Sequence, residues 1–209
     1  MPRNQPRENA RKARSDLYRQ LILDAAEGAF AQRGVEDTKM EEIAARSGLS
    51  LGTLYSVFAG KLDLVRAVHE ARLGEVLQRA ADAARGLDDP LAMLLAGVRS
   101  YVEFFVVHPD YLRMHLREGY AWGLLDSSLS TREQADAWRE GVAMQAALFE
   151  RGIGEGVFHP GDPQLMARMM IAMQQVQLAS WVEREMEAEP EELVAEIERQ
   201  VRRSFCLTG

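Results

Sequence analysis

Leu51, Gly52, Thr53, Tyr55 and Ser56 gather methyl, hydroxyl and aromatic groups into one short stretch with no charged side chain. Hydroxyls can bond base edges or phosphates, and Leu51 or the Thr53 methyl can meet a thymine methyl. Gly52 admits a close backbone approach, although glycine weakens a helix by about 1 kcal/mol. Tyr55 and Lys61 suit phosphate contacts, which set register rather than sequence preference. Such chemistry needs a short helix held against a groove, and the flanking residues supply one. Thr38, with Glu41 three residues on, reads as a capping box worth about 1 kcal/mol, opening a helix with Met40, Ile43 and Ala44 inward. Gly48 offers positive φ for the turn, Leu49 fills the angle, and Ser50 caps the next helix, which Leu54 and Phe58 anchor. The pattern predicts a helix-turn-helix over 39–58, whose second helix presents its N-terminal residues to the major groove.

No other chemistry is written in the chain. His69, His108, His115 and His159 are isolated, with no Glu-x-x-His pair of a di-iron bundle and no zinc-ligand spacing. Neither a nucleophile elbow nor a phosphate loop is present, and Gly152, Gly154 and Gly156 have the wrong spacing for a nucleotide fingerprint. No catalytic residue, metal or cofactor is expected, and the chain is not expected to be an enzyme. Cys206 is the single cysteine, so an internal disulfide is excluded and a reducing cytoplasm fits. The charged N-terminus does not read as a secretory signal, and the longest apolar run, Leu91 to Val98, is too short to span a bilayer. A cytoplasmic location is expected.

The net charge of −7 disfavours nucleic acid until its distribution is considered. Residues 1–20 carry +4, through Arg3, Arg7, Arg11, Lys12, Arg14 and Arg19, whereas residues 62–209 carry −9. Counterion release could therefore drive binding at the N-terminal end alone. Residues 1–14 read as a basic, flexible arm, which either reaches the DNA or stays solvated.

The 209 residues predict an all-α fold of about nine helices. Ser15 can cap a first helix to about Arg33, with Leu21, Ile22, Ala25, Ala26, Ala29 and Phe30 on one face, and Gly34 ends it. A long helix from Lys61 toward Arg85 buries Leu64, Val65, Val68 and Leu73. Further helices are predicted from Pro90 to Val107 and near 110–119, 128–151, 162–187 and 190–206. The domain reading is an arm at 1–14, a head at 15–61 and a larger helical part at 62–209.

The head resembles the N-terminal domain of the TetR family of bacterial transcriptional regulators. The resemblance runs from Arg19 through Ile22-Leu-Asp-Ala-Ala26, Phe30-Ala31, Gly34, Thr38, Ile43-Ala44, Ser47-Gly-Leu-Ser50, Gly52-Thr-Leu-Tyr55, Phe58 and Lys61-Leu-Asp-Leu64. It implies DNA contact by Thr38, Ser50, Gly52, Thr53, Tyr55 and Lys61. Two positions depart from the pattern. Val57 stands where histidine or tyrosine often faces the backbone, and Lys39 replaces a small hydroxyl residue and can offer a charged contact instead. A weaker likeness touches Leu148–Phe158 and Asp162-Pro163.

The resemblance also implies a dimer that reads a pseudo-palindromic operator and a repressor released by a small hydrophobic or aromatic effector. Apolar stripes on the last two helices, Met166, Met170 and Met173, then Val194, Ile197, Val201 and Phe205, are the candidate dimer interface. Tyr101, Phe104, Phe105, Tyr111, Met114, His115, Tyr120, Trp122, Trp138, Gln174, Gln177 and Trp181 are the candidate pocket; the same inventory would serve an ordinary core. The alternative is a DNA-binding dimer whose C-terminal part only dimerises or binds a protein partner.

Overall fold

The computed structural model describes residues 5–117 and 132–207 and contains nine helices among them. These are α1 (Gln5–Arg33), α2 (Met40–Ser47), α3 (Leu51–Val57), α4 (Lys61–Ala83), α5 (Pro90–Val107), α6 (Pro109–Arg117), α7 (Arg132–Gly154), α8 (Pro163–Glu183) and α9 (Pro190–Phe205). The chain divides into two compact units: Met1–Ala71 with Asp110–Glu118, and Arg72–Pro109 with Gly119–Gly209. The division falls inside α4 rather than at residue 61, and α6 joins the first unit although 62–209 was expected to form one part.

In the first unit, α1 begins ten residues before the expected Ser15 cap, which corrects the arm at its described part, from Gln5 onward. Arg7 to Glu27 contains neither glycine nor proline, so nothing local stops the helix, although residues 7–17 lie exposed. The inner face of α1 closes on α2 and α3, and Ile22, Ala26, Phe30, Ile43, Leu54, Phe58, Leu64 and Val68 of this unit are each at most 1% exposed. Leu21, expected inward, is 38% exposed, and Leu23 is buried in its stead. Gly34 (φ 82°) ends α1, its N–H donating to the Phe30 carbonyl.

Thr38 is not the cap of α2. Its hydroxyl donates back to the Gly34 carbonyl at 2.7 Å and lies 3.3 Å from that of Ala29, while Lys39 takes the N-cap position with no side-chain bond. The carbonyls at the end of α1 need partners, and Thr38 supplies them. Gly48 (φ 70°) then turns the chain, and Ser50 caps α3 by accepting from the Thr53 N–H at 3.1 Å, both as the sequence predicts.

The second unit holds the remainder of α4 with α5, α7, α8 and α9. Asp89 caps α5 by accepting from Ala92 N–H, and Asp162 caps α8 by accepting from Gln164 N–H. The 18-residue α5 is apolar and long enough to cross a membrane by length and composition, more than the run Leu91 to Val98 suggested. Its Leu94, Val98, Val102, Phe104 and Phe105 are buried in this unit, so its hydropathy has a core to fill. Phe149, Phe158 and Phe205 meet in edge-tilted pairs about 5 Å apart, and the Phe158 ring lies over Gly152, where a Cβ would come within 2.2 Å of it. Gly152 and Gly154 thus close α7, with Gly152 packed under Phe158, and Gly156 (φ 72°) turns the chain after it.

Candidate nucleic-acid interface

α3 faces solvent with Gly52, Tyr55 and Ser56, and it carries no charged side chain. Tyr55 is the large group it exposes, at 49%. The hydroxyls around it are tied into the helix start: Ser50 and Thr53 share a hydrogen bond at 2.8 Å, and Ser56 donates to the Thr53 carbonyl at 2.6 Å. Leu51 and Thr53 are half-buried at the edge of the same face, and Val57 is half-buried as well. Outward readers on α3 therefore reduce to apolar surface, the backbone at Gly52, the Tyr55 hydroxyl and hydroxyl lone pairs.

The first unit also exposes cations. Lys39 is exposed, as are Arg7, Arg11, Lys12 and Arg14 on α1. Arg46 is bound to Gln32 and pairs with Glu42 at 3.5 Å, and Arg33 pairs with the same carboxylate. The Arg19 guanidinium stacks over the Phe58 ring at 4.9 Å, a role the sequence reading did not assign to it. The exposed pairs hold orientation more than stability.

Two expected contact residues sit otherwise. Thr38 is 1% exposed, its hydroxyl committed to α1 carbonyls, so its side chain is corrected from a contact to a loop tie. The Lys61 ammonium donates to the carbonyls of Glu36 at 2.7 Å and Thr38 at 3.0 Å, so it fastens the α1–α2 loop to the start of α4. Of the remaining expected contact residues, Lys39, Ser50, Gly52, Tyr55 and Ser56 are exposed and Leu51 and Thr53 half-buried.

The expected pocket residues are divided between the two units. Tyr111, Met114 and His115 are buried in the first unit, where Tyr111 bonds His69 Nδ1 at 3.2 Å and stacks with His115. Burial, and then His69, hold His115 well below the ordinary histidine pKa. Tyr101, Phe104, Phe105, Gln174 and Trp181 belong to the second unit, with Gln177 and Trp181 at an open groove between α8 and α9. Tyr120 and Trp122 lie outside the described residues, as does the side chain of Trp138. Sequence reasoning missed Gln145 and Gln175, whose amides have buried atoms in the second unit. A signal existed for Gln145: it shares the inner face of α7 with Val142 and Phe149, three before and four after it.

The expected dimer stripe is also corrected. Met166, Met170, Val194, Ile197, Val201 and Phe205 are at most 8% exposed within a single chain, and Met173 is half-buried. They form the core between α8, α9 and their neighbours rather than a free face.

A capped helix-turn-helix with an uncharged outer helix, carried on an all-helical chain, defines the class of helix-turn-helix proteins. Residues 22–68 match the model of "Bacterial regulatory proteins, tetR family". It is 33% identical over 98 residues to the HTH-type transcriptional activator FasR of Mycolicibacterium smegmatis, covering 47% of this chain and 44% of FasR. The first relatives are matched over less than half of their own length. Among solved structures, the ketosteroid transcriptional regulator KstR2 of Mycobacterium tuberculosis has a TM-score of 0.73 at 22% identity, covering 90% of this chain and 94% of that one. AibR in complex with isovaleryl coenzyme A and operator DNA has a TM-score of 0.69 at 19% identity, covering 88% and 97%. At these identities the two structures establish the fold.

Proposed function

We propose that this chain is a sequence-specific DNA-binding transcriptional regulator, a repressor that acts as a homodimer in the cytoplasm and leaves its operator when a small apolar ligand binds the second unit. The observation that carries the DNA reading is the solvent-facing, uncharged α3 with Tyr55 on it, seated on a capped turn. A major groove accepts such a helix, and its N-terminal residues approach base edges. The α3 face has none of the arginine, asparagine or glutamine side chains that read bases in bidentate fashion, so apolar and hydroxyl contacts carry its preference.

Two half-sites require a twofold axis, and the outer face of α8 supports one. Leu165, Met169 and Val176 are 55%, 51% and 68% exposed and fall on one stripe at helical spacing. This face takes the place of the buried stripe expected from sequence. Ligand control is supported by unpartnered polar atoms inside the second unit and by AibR, whose structure holds both a ligand and operator DNA. A ligand that favours a conformation unsuited to the operator releases the DNA by population shift.

The test is selection of bound fragments from random DNA at physiological salt, followed by affinities for selected and scrambled fragments. A selected fragment is expected to bind at least a thousandfold more tightly than scrambled DNA. Tyr55→Phe is expected to weaken every fragment alike, by about 3- to 10-fold. A chain with no preference among fragments would sink the reading.

A further inference from the structure

Residues 7–17 of α1 are all exposed, so the first three turns of this helix stand clear of the core that its later residues bury. Placed on a helix, Arg7, Arg11 and Arg14 fall on one stripe about 60° wide, which Tyr18 continues. Glu8 and Asp16, the acidic residues of this stretch, lie outside that stripe. Among the described residues, no hydrogen bond or ion pair engages the three guanidinium groups. Like charges three and four residues apart on a helix repel one another. The stripe therefore disfavours the free helix, and a polyanion lying along it removes the repulsion.

The helix-turn-helix itself has little to offer a phosphate. α3 carries no charged side chain, the Lys61 ammonium is committed to the carbonyls of Glu36 and Thr38, and Arg33 and Arg46 pair with Glu42. Arg19 lies over the ring of Phe58, the C-cap of α3, so α1 passes that end of α3 at Arg19. At the rise of an α-helix, Arg14, Arg11 and Arg7 stand about 8, 12 and 18 Å further along the α1 axis.

We propose that the N-terminal extension of α1 is a second DNA contact, a preformed helix whose Arg7, Arg11 and Arg14 hold backbone phosphates outside those beside α3. This deepens the DNA-binding reading above and rests on it. Arginines on phosphates set affinity and register and carry no sequence information. A helix already formed loses less conformational freedom on binding than the flexible arm expected from sequence.

The test uses the full chain with the selected and scrambled fragments, and affinity is measured over a series of salt concentrations. Arg7→Gln, Arg11→Gln and Arg14→Gln together are expected to weaken both fragments alike, at least tenfold at physiological salt. The slope of log affinity against log salt should flatten by about 2–3 for each protomer bound. The Tm should be unchanged, because the three sites are exposed and glutamine suits a helix as well as arginine does. Lys12→Gln, on another side of the same helix, should change the slope less than any single arginine substitution. Ala13→Pro keeps every charge but breaks the extension, and it should weaken both fragments several-fold. An unchanged slope in the triple variant, a loss confined to the selected fragment, an equal effect of Lys12→Gln, or full affinity in Ala13→Pro overturns the proposal. A preference for the selected fragment leaves the DNA reading standing in each of those cases. A chain with no preference between fragments overturns the DNA reading and this contact with it.

Discussion

Thr38 and Lys61 direct their hydrogen bonds to the loop between α1 and α2, and this changes what their substitution does. Thr38→Val keeps the shape and strands the Gly34 carbonyl, so it should cost about 1–2 kcal/mol in urea unfolding. A residue that touched only DNA would show no such loss. The groups that α3 offers to the proposed DNA partner are methyl, backbone, phenol and hydroxyl groups. Replacing thymidine by deoxyuridine at each selected operator position should therefore weaken binding at one or more of them by about 3- to 10-fold. Replacing guanine N7 by carbon in the same half-site should have little effect, because no bidentate arginine addresses it. Fragment titrations against the unmodified operator decide between the two outcomes.

At the scale of elements, α8 carries apolar residues on more than one side. Met166, Met170 and Leu178 turn into the second unit, while Leu165, Met169 and Val176 face out. Such a stripe is the surface that the proposed dimer would cover. Val176→Glu should shift the sedimentation coefficient toward that of a monomer at micromolar concentration and reduce operator affinity at least tenfold. It should leave the Tm of the isolated chain nearly unchanged, because Val176 is 68% exposed. α9 is clamped from its other side by Arg99 of α5, which reaches Glu191 at 2.9 Å and Glu198 at 3.4 Å. The Glu191 hydrogen bond chiefly raises the pKa of that arginine.

At the scale of the molecule, protonation links both units to stability. His115 is buried with its pKa well below 6.5, so the unfolded chain binds its proton first as pH falls. Its contribution is complete above about pH 6.5 and declines below it. Glu75 adds a loss at lower pH. Burial raises its carboxyl, but His108 at 3.0 Å, then Arg72 and Arg79, outweigh burial and hold the pKa below 4.5. The Tm should therefore fall from pH 7 to 5.5, and again below pH 4.5. His115→Gln should flatten the first part of that decline and spare the second, which calorimetry across the range measures directly.

Periodicity and caps are properties of neighbours in sequence, and these the chain alone determined: the all-helical class, the turn at Gly48, the Ser50 cap and helix ends mostly within four residues. Burial depends on partners distant in the chain, and there the tertiary structure decided. Only packing turned Met166 inward and Val176 outward, since either face of α8 is apolar enough to serve. Only packing drew α6 into the first unit and enclosed the amides of Gln145 and Gln175. A hydroxyl such as Thr38 can cap the helix after it or bind the one before it, and the carbonyls left open at the end of α1 decided which.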